Sequence, residues 1–292
     1  MSSRGRFAPY VLGTSLLAVA AIALVFVVYA AIIGEDVRGF ALALTVSAPL
    51  GVGLRALGRP GSEPTRREAL ATVLLTWLAV PLVGSLPFLV TLDMSFLPAM
   101  FESMSGFTTT GATIVTDFEA VPATLFMWRA MAQWIGGIGI LVLFVAVFPQ
   151  LAIAGRQMFF AEAPGPSEER LSPRLRHTAA AVLAVYSGLT ALCIAMYLVF
   201  GMSPSDAVAY ALATVSAGGF STHAEVFAFY SSAALEWTAV AFMFLAGVSL
   251  TLLYRTLMGR PLLPFKDAEF RAYSLILIVE STVLAVQLSD SY

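Results

Sequence analysis

The chain is poor in what soluble enzymes rely on. Charged residues make up only 12% of its 292 positions, about half the usual share of a soluble domain. It has one cysteine, Cys193, which excludes an internal disulfide, a multi-cysteine zinc site and a CxxCH haem attachment. Its single lysine, Lys266, and the absence of GxxxxGK[ST] exclude a P-loop. The two histidines, His177 and His223, stand far apart, and there is no HExxH. With no catalytic constellation, the chain is expected not to be an enzyme and to need no organic cofactor. A net charge of −2 gives no reason to expect nucleic acid as a partner.

What is present is apolar: 59% hydrophobic residues and a mean hydropathy of +0.87. A membrane-crossing helix needs about 20 such residues. Seven stretches qualify as expected spans: Ala8–Ile33, Gly39–Leu57, Ala69–Val90, Thr124–Phe148, Thr178–Phe200, Ala233–Leu257 and Ala272–Leu288. The first follows Arg4 and Arg6, as a signal peptide would, but its apolar run is much longer than the ~7–15 residues of a signal core. It reads as a retained helix.

Basic residues set the expected orientation. They gather before the first span (Arg4, Arg6) and around the loops after the second (Arg55, Arg59, Arg66, Arg67), the fourth (Arg156, Arg170, Arg174, Arg176) and the sixth (Arg255, Arg260, Lys266, Arg271). The remaining loops carry almost no basic residue, Arg38 and Arg129 being the exceptions, and carry acids instead: Glu35, Asp36, Asp93, Glu102, Asp117, Glu119, Asp206, Glu225 and Glu236. The N-terminus is expected in the cytoplasm and, with seven spans, the C-terminus outside. An acidic external face concentrates cations, although orientation bias alone also produces it.

Two external segments, after spans three and five, carry a repeated pattern. Each opens with helix-start chemistry: Ser95 with Pro98 in the first turn, and Ser203 followed by Pro204 and Asp206. A helix of about ten residues follows, too short to span. Each then runs into small polar residues and glycine, Gly106–Thr113 in the first and Thr214–Thr222 in the second. Gly111 and Gly219 lie 108 positions apart, as do Ser95 and Ser203. Internal duplication of this kind is common in membrane transport folds. Non-helical backbone at membrane depth is tolerated only inside protein or along a water-filled path, and a ring of carbonyls can replace the hydration shell of a potassium ion. One reading is therefore an ion filter. The other is a turn rich in threonine and glycine.

The residues Phe101–Thr113 resemble the first pore loop of the TrkH/KtrB potassium transporter superfamily, on the TrkH side. Trp128-Arg129 and Gln133–Ile140 resemble the helix that follows it, and Thr214–His223 resembles the second pore loop. The resemblance implies an all-α integral membrane protein of helix, pore helix, loop and helix repeats, with seven spans and two re-entrant pore helices. It implies two leading helices (1–67), a first pore unit (68–155), a second (156–260) and the first helix of an incomplete third (261–292). It implies potassium as substrate, coordinated by backbone carbonyls of Thr109, Thr110, Gly111, Ala112, Ala217, Gly218, Gly219 and Phe220, with Thr108 and Ser216 supporting the loops. Arg129, Gly136, Gly137 and Gly139 are its candidates for pore wall or gating. It further implies a bacterial inner-membrane location, contact with membrane lipid, a homodimer and a TrkA-like nucleotide-binding regulator on the cytoplasmic side. A complete member has four units, so the sequence reads as an N-terminal portion: a fragment, a truncated gene or half of a split transporter whose C-terminal half lies elsewhere. A non-conducting scaffold that keeps the fold is the alternative from another class.

Several residues carry two readings. Arg129 either positions the pore wall, pairing with an acid such as Glu102, or snorkels to the interface beside Trp128. Gly136, Gly137 and Gly139 form either a hinge or a close helix contact. Glu280 is a charge within the last expected span. His223 either tunes cation entry or is a solvated loop residue. Cys193 reads as packing. Arg170–His177 is either a docking surface or part of the orientation signal.

Overall fold

The computed structural model describes residues 7–59, 65–139 and 171–289, and these are helical with no strand among them. In order they form α1 (Phe7–Ile33), α2 (Arg38–Leu57), α3 (Arg66–Gly84), α4 (Leu86–Thr91), α5 (Phe96–Phe107), α6 (helical over 123–139), α7 (Leu171–Val199), α8 (Pro204–Val215), α9 (Ala233–Ala246), α10 (Leu250–Leu257), α11 (Leu263–Lys266) and α12 (Ala268–Ser289). A 3-10 turn, Val226–Tyr230, lies between α8 and α9.

Among the described residues four helical segments are long and apolar enough to cross a membrane: Phe7–Ile33, Arg38–Leu57, Arg67–Thr91 and Ala180–Val199. Their outward residues stay apolar. Val25, Val28, Ile32, Leu74 and Leu78 are all exposed, as expected of helices whose solvent is lipid. The third of these segments joins α3 and α4 across Ser85. The fourth expected span, Thr124–Phe148, is helical as far as 139, and the rest of it lies outside the described residues.

The sixth expected span, Ala233–Leu257, is not one straight helix. It breaks into α9 and α10 with a bend of 99°. Gly247 caps the end of α9, and Ser249 sits at the start of α10. The Tyr273 hydroxyl of α12 donates to the Phe244 carbonyl just before the break, at 3.2 Å. A continuous apolar run conceals such a break, because hydropathy reports burial and not backbone direction. The last expected span, Ala272–Leu288, falls within α12. Glu280 is exposed there.

The core falls into two bodies joined by α6. In the first, α1 and α2 pack as a hairpin against α3 to α6 around Phe26, Phe40 and Trp128, whose ring centroids are 5.2 to 5.7 Å apart. The Trp128 indole N–H finds the Gly84 carbonyl at 3.1 Å, so its polar end is satisfied inside the core. Glu35, in the α1–α2 turn, caps α6 from a distance. Its carboxylate accepts from the N–H groups of Ala123 and Thr124 at 3.0 Å and from the Thr124 hydroxyl at 2.6 Å. The second core packs α7, α8, α9 and α10 around Tyr197, Tyr210 and Leu235, with Cys193 fully buried in it. Between the two, Ala130 of α6 packs on Ala209 and Leu212 of α8.

Candidate functional site

Helices α5 and α8 are each 12 residues long, and both ends correspond at the 108-residue spacing. Ser203 caps α8 with its hydroxyl on the Asp206 N–H. Ser95 holds the same position before α5 without a side-chain cap bond. The two helices close with the same three backbone hydrogen bonds. Thr108, Thr109 and Thr110 donate to the carbonyls of Met104, Gly106 and Ser105, while Ser216, Ala217 and Gly218 donate to those of Leu212, Thr214 and Ala213. This is a Schellman closure, which needs a left-handed residue just past the helix. Thr109 (φ 54°) and Ala217 (φ 53°) fill that position, although glycine is the usual choice.

Two residues later the backbone is left-handed again, at Gly111 (φ 75°) and Gly219 (φ 78°). Alternating positive and negative φ turns successive carbonyls toward one side of the chain, as a carbonyl-lined path requires. The loops lie against each other: a Cβ on Gly111 would run into the Gly218 carbonyl oxygen. Glycine at 111 is thus required twice, by its φ and by this approach.

Among the described residues no hydrogen bond reaches the carbonyls of Thr109, Thr110, Gly111, Ala217, Gly219 or Phe220. Two other carbonyls of the expected ion-facing set are committed within the protein. Ala112 accepts from the Ser105 hydroxyl at 2.6 Å, and Gly218 accepts from the Gln133 amide at 2.7 Å. The Thr108 hydroxyl bonds the Met104 carbonyl at 2.7 Å and lies 2.8 Å from that of Thr110. Ser216 bonds the Ala213 carbonyl at 3.1 Å.

Behind the first loop lies a buried ion pair. Glu102 is 0% exposed and Arg129 is 1% exposed, with Arg129 Nη2 3.3 Å from the carboxylate. The same nitrogen donates to the Thr113 hydroxyl at 2.8 Å. Glu102 also accepts from that hydroxyl at 2.7 Å and from the Ile114 N–H at 2.6 Å. Arg129 is therefore buried and paired with Glu102 and does not snorkel. Its guanidinium lies 4.1 Å from the centre of the Phe220 ring of the second loop. Gly136, two turns further along α6, faces the Phe107 carbonyl so closely that close helix contact explains it. Gly137 lies beside the Tyr186 hydroxyl, and a Cβ added at Gly139 would meet no described atom within 4 Å.

The second loop is held from both sides. The Tyr210 hydroxyl lies 2.8 Å from that of Ser221 and donates to the Val226 carbonyl at 3.0 Å. Asp206 accepts from Thr222, Ser203 and Tyr230 at 2.6 to 2.8 Å. Burial pushes its carboxyl up, but the hydrogen bonds from Tyr230, Thr222, Ser203 and His223 outweigh this and hold it below its ordinary value. His223 is no free loop residue: it stacks on Phe229 at 3.7 Å and sits 3.4 Å from Asp206. Two cavities flank the loops. One, of 810 Å³, is lined by Asp117, Glu119, Asp206, His223 and Glu225. The other, of 610 Å³, is lined by Thr109, Gly137, Ser216, Ala217 and Val248.

The family model described as TrkH, a cation transport protein, matches residues 39–287. The chain belongs to the TrkH family. It is 36% identical to the Trk system potassium uptake protein TrkH of Vibrio parahaemolyticus over 74% of this chain and 46% of that protein. It is 34% identical to TrkH of Halomonas elongata over 87% of this chain and 54% of that protein. The solved TrkH structure from Vibrio parahaemolyticus superposes with a TM-score of 0.80 at 29% identity, covering 97% of this chain and 60% of that one. This TrkH-family chain thus spans about half the length of the curated relatives it matches. The family is one of transporters and not of enzymes, and its members are membrane proteins.

Gln133, Tyr210 and the Phe220 ring were not singled out by sequence reasoning for the contacts they make. For Gln133 a signal existed. A glutamine four residues after an arginine in an apolar helix puts two polar groups on one face, and both need partners when buried.

Proposed function

We propose that the chain contributes two pore-loop units to a potassium uptake path across the bacterial inner membrane. The observation that carries this reading is the matched pair of loops. Thr109/Gly111 and Ala217/Gly219 have the same left-handed positions, lie side by side, and among the described residues the carbonyls of Thr109, Thr110, Gly111, Ala217 and Gly219 have no protein donor. The names of the relatives, potassium uptake proteins, supply the ion. In this reading α5 and α8 are re-entrant pore helices entering from outside, with their negative C-terminal ends toward the ion. The carbonyls of Thr109, Thr110, Gly111, Ala217, Gly219 and Phe220 replace water around potassium, which moves down its electrochemical gradient. The Gly218 and Ala112 carbonyls hold the loops instead.

The same proposal assigns 1–67 to two leading helices, 68–155 and 156–260 to the two units and 261–292 to the start of a third. It places the N-terminus in the cytoplasm and pairs the chain with the segments that complete four units, a second copy and a TrkA-like regulator. The basic segment Arg170–His177, offered for that regulator, has its side chains outside the described residues.

The test joins residues 1–292 to the C-terminal half of the Vibrio relative and expresses the product in bacteria that lack potassium uptake. Growth at low potassium is expected, together with rubidium uptake that sodium does not match. Gly111→Ser is expected to abolish this discrimination or the transport itself, because serine fits neither the φ nor the approach to Gly218. Unchanged selectivity in Gly111→Ser overturns the filter reading. Residues 1–292 expressed alone are expected not to rescue growth, since two loops coordinate an ion from one side only.

A further inference from the structure

Helix α6 belongs to the first unit by sequence, yet it grips both loops. Arg129 and Gln133 stand four residues apart, on one face, and both are buried, at 1% and 0% exposure. Arg129 holds the first loop through Thr113 and Glu102. Gln133 holds the second loop with both ends of its amide. Its Nε2 donates to the Gly218 carbonyl at 2.7 Å, and its Oε1 accepts from the Phe220 N–H at 3.1 Å. The two bonds bracket Gly219, which stays without a neighbour around its Cα where a side chain would stand.

Phe220 is where the two grips meet. Gln133 fixes its backbone, and Arg129 lies over its ring at 4.1 Å. The Nε and Nη1 groups of Arg129 are buried and have no hydrogen-bond acceptor. The negative face of the Phe220 ring, with the Phe126 ring further off at 5.8 Å, compensates them. A shift of either loop therefore strains a buried polar contact of the other, and an orphaned buried donor is costly.

We infer that Arg129 and Gln133 act as a splint that makes the two loops one mechanical unit and fixes the spacing of their carbonyls, on which ion discrimination depends. They are positioning residues and touch no ion. The ion belongs to the reading proposed above; the mechanical coupling does not depend on it.

The test is amide hydrogen exchange of the chain in lipid nanodiscs, in potassium chloride and in sodium chloride. Gln133→Met, similar in volume and without the amide, is expected to speed exchange about fivefold in both 107–114 and 216–222, the loss of a buried hydrogen bond. Exchange in α1 and α2 stays unchanged. Phe220→Leu is the second variant, and it removes no hydrogen bond. It is expected to speed exchange in the first loop although the change lies in the second. A response confined to the loop nearest each substitution overturns the splint. In the unaltered chain both loops are expected to exchange more slowly in potassium than in sodium, and Gln133→Met is expected to shrink that difference in both. If the unaltered chain shows no such difference, the ion reading and the claim on discrimination fall, while the two-loop response still decides the coupling. If the difference survives intact in Gln133→Met, the splint does not set discrimination.

Discussion

Positions 102 and 210 occupy the same place in the 108-residue repeat, and so do positions 113 and 221. In the first unit Glu102 accepts from the Thr113 hydroxyl at 2.7 Å; in the second the Tyr210 hydroxyl lies 2.8 Å from that of Ser221. The strap from short helix to loop is the same in geometry and different in chemistry. The ionic version needs a buried cation, Arg129, from the next helix. The corresponding position of the second unit is Trp237, which is 72% exposed. The neutral version needs no counter-ion, and Asp206 secures the outer end of that loop instead, through Thr222 and Tyr230. Helix closure is dictated by backbone geometry and is copied between units. Side-chain support is dictated by neighbours, and the two units have different neighbours.

The comparison breaks most visibly at the strap. Glu102→Ala leaves the Arg129 charge buried without its partner and is expected to cost about 3–5 kcal/mol. Tyr210→Phe removes a neutral hydroxyl and is expected to cost about 1 kcal/mol. Thermal unfolding of the two variants in detergent measures the gap, and equal losses would show that the ion pair adds nothing.

The glycines give the next largest difference. Gly111→Ala meets the Gly218 carbonyl as well as an unfavourable φ, so about 1–2 kcal/mol of backbone strain adds to about 1–3 kcal/mol of displacement. At Gly219 no described atom stands within 4 Å of an added Cβ, and only the strain applies. Paired unfolding midpoints are expected to fall further for Gly111→Ala.

Acid sharpens the comparison on the side of the second unit. The Asp206 carboxyl is held below its ordinary value of 3.8. A depressed acid stabilises the fold fully above that value, and the contribution is lost as pH falls through the lower folded-state value. Protection of the 221–223 amides, measured against the intrinsic exchange rate at each pH, is expected to fall below about pH 4, and Asp206→Asn is expected to remove that fall.

The smallest effect tests equivalence. Thr109→Gly and Ala217→Gly each relieve a left-handed residue at a Schellman position. Both are expected to stabilise by less than about 1 kcal/mol, since the added freedom of the unfolded chain offsets part of the relief. Unequal effects on the unfolding midpoint would show that the two closures differ.

Apolar run length located the helices, since lipid as a solvent admits few alternatives. Capping residues and the repeat spacing located α5 and α8 and the loops after them: Ser203, Pro204 and Asp206 announce a helix start from local chemistry alone. The break at Gly247 was not legible, because a hydropathy profile is blind to direction, and Tyr273 comes from a distant helix. Nor was the fate of the Gly218 carbonyl. It accepts from the amide of Gln133, 85 residues earlier in the chain.

The sequence by itself determined that this is a helical membrane chain carrying one unit twice. Those features follow from composition, spacing and local backbone preference, which act over a few residues. Only the tertiary structure decided which side chains hold the loops: Glu102 with Arg129, Gln133 across the seam, and Asp206 at the rim. Each of these polar groups finds partners outside its own helical turn, and such partners are assigned only when segments that are separate in sequence pack together.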